Sequence, residues 1–187
     1  MQPDTVLRKF TDRKGREVTL RTPRWSDLDD MLEFINSLVE EEAMIAVDTK
    51  KTRTEEIEWV ANNLKRLEKD EHMCLVAEVD GHMVGSTEIG PRFGRLKHYG
   101  MLGISLKDGY RDSGIGQEMM KEIEKHAPRL GIEYLALEVI GTNERAIHVY
   151  EKIGYKPIGA YPNGVKYKGD YVDSVHMVKK IKKPQET

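Results

Sequence analysis

Two stretches of this chain carry residue types at spacings that can do chemistry. From Gly103 to Gly116 (Gly103-Ile-Ser-Leu-Lys-Asp-Gly-Tyr-Arg-Asp-Ser-Gly-Ile-Gly116) a short apolar run ends in a loop with Arg111, Gly114 and Gly116, and a helical pattern follows at once. Such a loop turns several backbone N–H groups toward one point at a helix N-terminus, where the helix dipole favours negative charge. Glycine lets the backbone approach a ligand with no Cβ in the way, and Arg111 adds a positive fork. This is the chemistry of a pyrophosphate cradle. No Gly-Lys-Ser/Thr follows, so it is not a P-loop, and the glycine spacing excludes the dinucleotide fingerprint. Taken alone, Arg-x-x-Gly-x-Gly also fits a tight connection before a helix.

The second stretch runs from Leu135 to Tyr155: Leu135-Ala-Leu-Glu-Val-Ile-Gly-Thr-Asn-Glu-Arg-Ala-Ile-His-Val-Tyr-Glu-Lys-Ile-Gly-Tyr155. Together the two stretches resemble the GNAT superfamily of N-acetyltransferases, from roughly Val18 to Val178 and most specifically between Met101 and Tyr155. The resemblance implies that acetyl-CoA is the co-substrate. It implies that Arg111, Asp112, Ser113, Gly114, Ile115 and Gly116 take the pyrophosphate, the side chains of Asp112 and Ser113 being incidental. Ile104, Ser105 and Leu106 are implied along the pantetheine arm, with Ile104 and Leu106 offering backbone groups where neighbouring strands splay. Asn143 and Tyr150 are implied beside the thioester.

Acetyl transfer to an amine needs a base for the ammonium proton, donors for the developing oxyanion and an acid for the thiolate. A thiol has a free pKa of about 8.5 and a phenol of about 10, so a phenol can protonate the departing sulfur or hydrogen-bond to it. Tyr150 matches the family's general acid through the pattern Asn-x-x-Ala-x-x-x-Tyr-x-x-x-Gly-Tyr. The alternative is an aromatic that fills the core at helical spacing. Leu137-Glu-Val-Ile-Gly-Thr-Asn143 most resembles the ribosomal-protein alanine N-acetyltransferase branch, which implies Glu138 as base, with its Tyr partner twelve positions on. A carboxylate anchoring a loop or meeting solvent fits Glu138 equally, and Glu88 is the competing base. Asn143 also suits a helix N-cap. The acidic run Glu40–Glu42 lies where the family builds part of the acceptor wall, and it also reads as a solvated face.

These residues need a scaffold. A chain of 187 residues with 39% hydrophobic and 33% charged residues is one soluble domain's worth. The net charge of −2 gives no overall basic field for nucleic acid. Basic clusters stand at the ends (Arg8, Lys9, Arg13, Lys14 and Arg16; Lys179, Lys180, Lys182 and Lys183) and read as short solubilising tails of a single domain spanning 1–187. The one cysteine, Cys74, sits in an apolar run, fits a reducing cytoplasm and reads as a buried small hydrophobe. No apolar run approaches membrane-spanning length, and the six histidines show no metal-ligand spacing.

The alternation of Glu17–Arg21 predicts a strand, joined by the turn Asp12–Gly15 to another before it. A helix capped by Ser26 or Asp27 follows, then one opened by the box Thr52-x-x-Glu55. A hairpin turns at Asp80-Gly81, and Tyr99–Leu106 is the strand that feeds the cradle. A helix over Gly114–His126 is stopped by Pro128 and Gly131. Strand Tyr134–Ile140, helix Asn143–Lys152, and strands Tyr155–Ala160 and Val172–Lys179 complete the chain, with turns at Pro162-Asn163-Gly164 and Gly169. From Glu17 the order is β-α-α-β-β-β-α-β-α-β-β, an α/β fold with a mixed, mostly antiparallel sheet and helices on both faces. The acceptor is left open between a protein N-terminus and a small amine such as a polyamine or amino acid. A non-catalytic acyl-CoA sensor is the rival from another class, and the oligomeric state is open, a homodimer included.

Overall fold

A computed structural model describes residues 1–181. Its strands are β1 (Val6–Thr11), β2 (Glu17–Arg21), β3 (Met73–Val79), β4 (His82–Pro91), β5 (Tyr99–Leu106), β6 (Tyr134–Ile140), β7 (Lys156–Tyr167) and β8 (Asp170–Lys180). The helices are α1 (Leu28–Glu40), α2 (Arg53–Glu68), α3 (Ile115–Glu124) and α4 (Glu144–Lys152). One eight-stranded sheet runs β1-β2-β3-β4-β5-β6-β8-β7, with β5–β6 its parallel pair and its other pairs antiparallel.

Alternation along the strands splits the core in two. Leu75, Ala77, Leu135, Leu137 and Val139 pack on one face with Ile115, Met119, Met120 and Ile123 of α3. Val76 and Met83 meet Leu28, Met31, Phe34 and Leu38 of α1 and Val60 of α2 on the other. The local signals work as expected at several ends. Thr52 Oγ1 accepts from the Glu55 N–H while Glu55 Oε2 accepts from the Thr52 N–H, closing the box at α2. Asp80 and Gly81 both have positive φ, 52° and 80°, as a two-residue hairpin of this twist requires.

Four expectations are corrected. Arg8 and Lys9 lie in β1, and Arg13, Lys14 and Arg16 lie at or beside the β1–β2 turn, so the front basic cluster is part of the sheet rather than a tail. At the back Lys179 and Lys180 end β8, while Lys182 and Lys183 lie outside the described residues. Neither Ser26 nor Asp27 caps α1 through its side chain: the buried Asp27 carboxylate accepts two hydrogen bonds from Arg21, at 2.7 and 2.8 Å. Unpairing a buried ion of this kind costs about 3–5 kcal/mol, which outweighs a cap of about 1 kcal/mol. Finally, Pro162-Asn163-Gly164 is no turn. β7 runs through it with a register shift between Tyr161 and Val165, and Asp173 Oδ1 accepts the Asn163 N–H at 3.0 Å. The hairpin turns at Lys168-Gly169, where φ is 52° and 91°.

Candidate active site

β5 and β6 pair only from Tyr99↔Tyr134 to Met101↔Ala136. Beyond that point β5 stays with β4 and β6 with β8, so the two parallel strands part. The helix after each strand begins near the opening. A cleft of about 620 Å³ follows, lined by Ile104, Ser105, Leu106, Arg111, Asp112, Gly114 and Gly116 from the first stretch and by Asn143 and Tyr150 from the second. Nine of the expected site residues therefore meet in one cavity although they are spread over 47 positions of sequence, from 104 to 150.

The cradle is made by backbone shape. Gly114 caps α3 with φ 90°, a left-handed conformation that a side chain strains. Gly116 needs its missing Cβ for packing as well, because one built there would stand 3.0 Å from Leu106 Cδ1. Arg111 Nε donates to the Leu106 carbonyl at 3.0 Å, and its Nη2 pairs with Glu41 across the cleft. Two expected residues do not line the cavity. The buried Ser113 hydroxyl donates to the Tyr110 carbonyl at 2.7 Å, and the Ile115 side chain lies in the core. What either can offer a ligand is its backbone.

At α4 both readings of Asn143 hold together. Its Oδ1 accepts the Ala146 N–H at 3.1 Å as N-cap, while the residue lines the cleft. Tyr150 packs against the core with its neighbours Ala146 and Ile147 and still reaches the cavity. Burial pushes its phenol up to about 12, which keeps the hydroxyl protonated and able to donate.

Neither carboxylate weighed as base lines the cleft. Leu137 and Val139 face α3, so Glu138 between them points to the other face of the sheet. It is exposed there, two residues beyond the last β5–β6 pair, with Oε1 3.7 Å from Nδ1 of His176 on β8. Glu88 shares that face, since its neighbour Ile89 is in the α3 core. It is registered with Gly103, and its Cγ is 3.7 Å from where a Gly103 Cβ would lie. With no side chain at Gly103, the Glu88 carboxylate lies against β5, its Oε1 3.9 Å from the same point, and burial raises its pKa above the ordinary carboxylate value. Cys74, opposite Glu88 on β3, is fully buried and its thiol is pushed up, which makes it a core residue rather than a nucleophile.

The sequence reading missed other residues of the cavity: Arg13, Arg145, Tyr167 and Lys168. Arg145 pairs with the exposed Asp112 side chain. Tyr167 Oη donates to the Glu42 carbonyl at 2.8 Å, and Lys168 Nζ meets the Glu42 carboxylate at 2.8 Å. Glu41 and Glu42 therefore form a wall of the cleft, Glu42 latched to the tip of the β7–β8 hairpin and Glu41 to Arg111, while the run as a whole stays exposed to solvent. Arg145 was within reach of inspection, being in the first turn of the helix that Asn143 caps. The others depend on contacts far apart in sequence.

Known proteins share the fold and family of this chain. The profile of the acetyltransferase (GNAT) family matches residues 32–155, and the chain belongs to that family. It is 30% identical over 158 residues to an N-alpha-acetyltransferase of Sulfurisphaera tokodaii, covering 78% of this chain and 84% of that one. It is 23% identical over 159 residues to a Bacillus subtilis protein provisionally named a phosphinothricin acetyltransferase, covering 83% and 94% respectively. The crystal structure of a ribosomal-protein-alanine N-acetyltransferase from Brucella melitensis superposes with a TM-score of 0.77 over 86% of this chain and 98% of that one. At 24% identity that last likeness concerns the fold. Among the described residues no helix is long and apolar enough to cross a membrane.

Proposed function

We propose that this acetyltransferase moves the acetyl group of acetyl-CoA to a primary amine by direct attack in a ternary complex. The observation that carries the reading is the cleft in which a helix N-terminus opened by a left-handed glycine, a strand parted from its neighbour and a half-buried tyrosine converge. A cavity of about 620 Å³ suits an extended thioester arm, and the Gly114–Gly116 backbone with Arg111 suits its pyrophosphate. When bound, the co-substrate supplies an activated carbonyl. The chain's own residues hold it and manage protons. Tyr150 keeps a proton at Oη for the sulfur, and Glu138 takes one from the ammonium through water on the opposite face of the opening.

A second reading of the base rests on Glu88. A general base works best with a pKa near the operating pH, and burial moves Glu88 in that direction while the absent side chain at Gly103 leaves room for its carboxylate against β5. For the acceptor, similarity to an N-alpha-acetyltransferase favours a peptide α-amine. Similarity to the provisionally named phosphinothricin enzyme favours a small amino-acid-like amine. A peptide α-amine is about a tenth neutral at pH 7, whereas an alkyl amine near 10.4 is neutral on the order of once in 10³. A base therefore contributes more for the alkyl amine.

Free thiol released with a panel of peptides, amino acids and polyamines tests the activity. A protein that binds acetyl-CoA yet turns over none of them would be the sensor module. Glu138→Gln tests the base. It should depress kcat/KM and move the acid limb of the pH profile, more for high-pKa amines than for α-amines. Because burial raises the Glu88 pKa, loss of Glu88 as base would instead remove an acid limb lying above the ordinary carboxylate range. A Glu138→Gln profile that overlays the parent, beside a Glu88→Gln profile that does not, reassigns the base to Glu88.

A further inference from the structure

Among the described residues four cationic side chains line the cleft: Arg13, Arg111, Arg145 and Lys168. Three are matched by carboxylates, Arg111 by Glu41, Arg145 by Asp112 and Lys168 by Glu42. Arg13 is not. Its guanidinium meets the neutral Gln117 side chain, Nη2 to Oε1 at 3.4 Å, and no carboxylate among the described residues. It stands beside the N-terminus of α3, with Nε 3.3 Å from where a Gly114 Cβ would lie.

This placement is built rather than incidental. The Arg13 backbone N–H donates to the Ser113 carbonyl at 2.9 Å. Lys14 Nζ and Arg16 Nη1 each donate to the Gly109 carbonyl at 3.2 Å, and the Arg16 guanidinium lies over the Tyr110 ring at 4.3 Å. The β1–β2 turn is thereby fastened along the cradle loop and holds Arg13 at the cavity's edge. An unmatched cation beside a helix N-terminus draws an anion.

The pyrophosphate already has donors in the cradle backbone and Arg111. Coenzyme A carries one more phosphate, the ribose 3′-phosphate. It is a monoester with a charge of about −1.5 to −2 at pH 7, and nothing in the cradle motif provides for it. A guanidinium meets such a group with two parallel N–H donors. We infer that Arg13 recognises the 3′-phosphate of coenzyme A, which makes the first hairpin part of the donor site. The inference rests on the acetyl-CoA reading above.

Calorimetric titration of the full chain with CoA and with 3′-dephospho-CoA tests it. The parent should bind CoA at least about tenfold more tightly. Arg13→Gln keeps the backbone bond to Ser113 and should lose most of that preference, weakening CoA and leaving 3′-dephospho-CoA unchanged. Arg13→Lys, which keeps charge without the fork, should recover part of it. Equal losses for both ligands would place Arg13 on the pyrophosphate or in hairpin packing and overturn the inference, as would unchanged CoA affinity in a folded Arg13→Gln protein. A parent that binds both ligands equally overturns it while leaving the acetyl-CoA reading intact. A parent that binds neither strikes that reading instead.

Discussion

The two sides of the cleft are held by different forces. The cradle side is backbone and close packing: Gly114 in a left-handed turn, Gly116 against Leu106, and α3 anchored by Ile115, Met119, Met120 and Ile123 in the core. The facing side, from Glu41 to Ile45 with Tyr167 and Lys168, is held by long polar side chains meeting near solvent. Each such ion pair is worth about 0–1 kcal/mol, whereas a misplaced backbone or an added Cβ in a packed contact costs about 1–3 kcal/mol. One side is therefore rigid and specified by few residue types. The other can change its amine without endangering the fold. Among acetyltransferases sharing a donor, that is where differences in acceptor would be expected to lie.

The largest effect should come from α4, which packs on the same core as the cradle side. Tyr150→Phe keeps the ring and its packing and removes only the hydroxyl. Loss of a positioned acid predicts a fall in kcat of about 10²-fold with little change in acetyl-CoA affinity. The steady-state comparison is decisive because the alternative role, core filling, leaves kcat at the parent value.

Next is the cradle backbone. In Gly116→Val the new Cβ would press on Leu106 Cδ1 at 3.0 Å, at a position that lines the cleft. Leu106 can turn its side chain end away, so the fold survives. Acetyl-CoA binding should weaken at least about tenfold, roughly 1.4 kcal/mol. Calorimetry showing parent affinity in a folded Gly116→Val protein would mean that the two sides do not differ as described.

The same contrast explains what could be read from sequence. The cradle, the caps and the hairpin at Asp80-Gly81 are local: glycine with positive φ or a Thr-x-x-Glu box acts within a few residues, so residue type implies conformation. Asp27 misled because Arg21 on β2, six positions back, takes its carboxylate in a buried ion pair, and its local bond goes to the Arg24 N–H of the short turn before α1 rather than to α1 itself. Pro162-Asn163-Gly164 misled because turn-forming residues also suit a bulge, and pairing with β8 absorbs the irregularity. Arg13 was invisible as a site residue because its contact with the cradle, Gln117, is 104 positions away. Glu138 was legible as a residue on a strand face, but not the Glu88 placement against Gly103, which depends on β4–β5 register.

The smallest effect should come from the facing side, and its sign is the sharpest check on the contrast. Arg111 serves two masters: its Nε holds the Leu106 carbonyl while its Nη2 pairs with Glu41. A phosphate ligand must compete with that carboxylate for the same guanidinium, and the carboxylate also repels it. Glu41→Gln removes both obstacles but leaves the bond to Leu106, so Arg111 should stay in place. Acetyl-CoA should therefore bind more tightly, by about twofold to fivefold given the usual worth of a partly exposed pair. The gain should shrink as salt screens the parent's pair. For a cationic amine the same change should raise KM, since one wall loses a negative charge. Titrations at low and high salt, with acceptor kinetics alongside, separate the cases. Weaker acetyl-CoA binding in Glu41→Gln would show that Glu41 positions Arg111 rather than competing for it, and the facing side would then belong to the rigid half of the site.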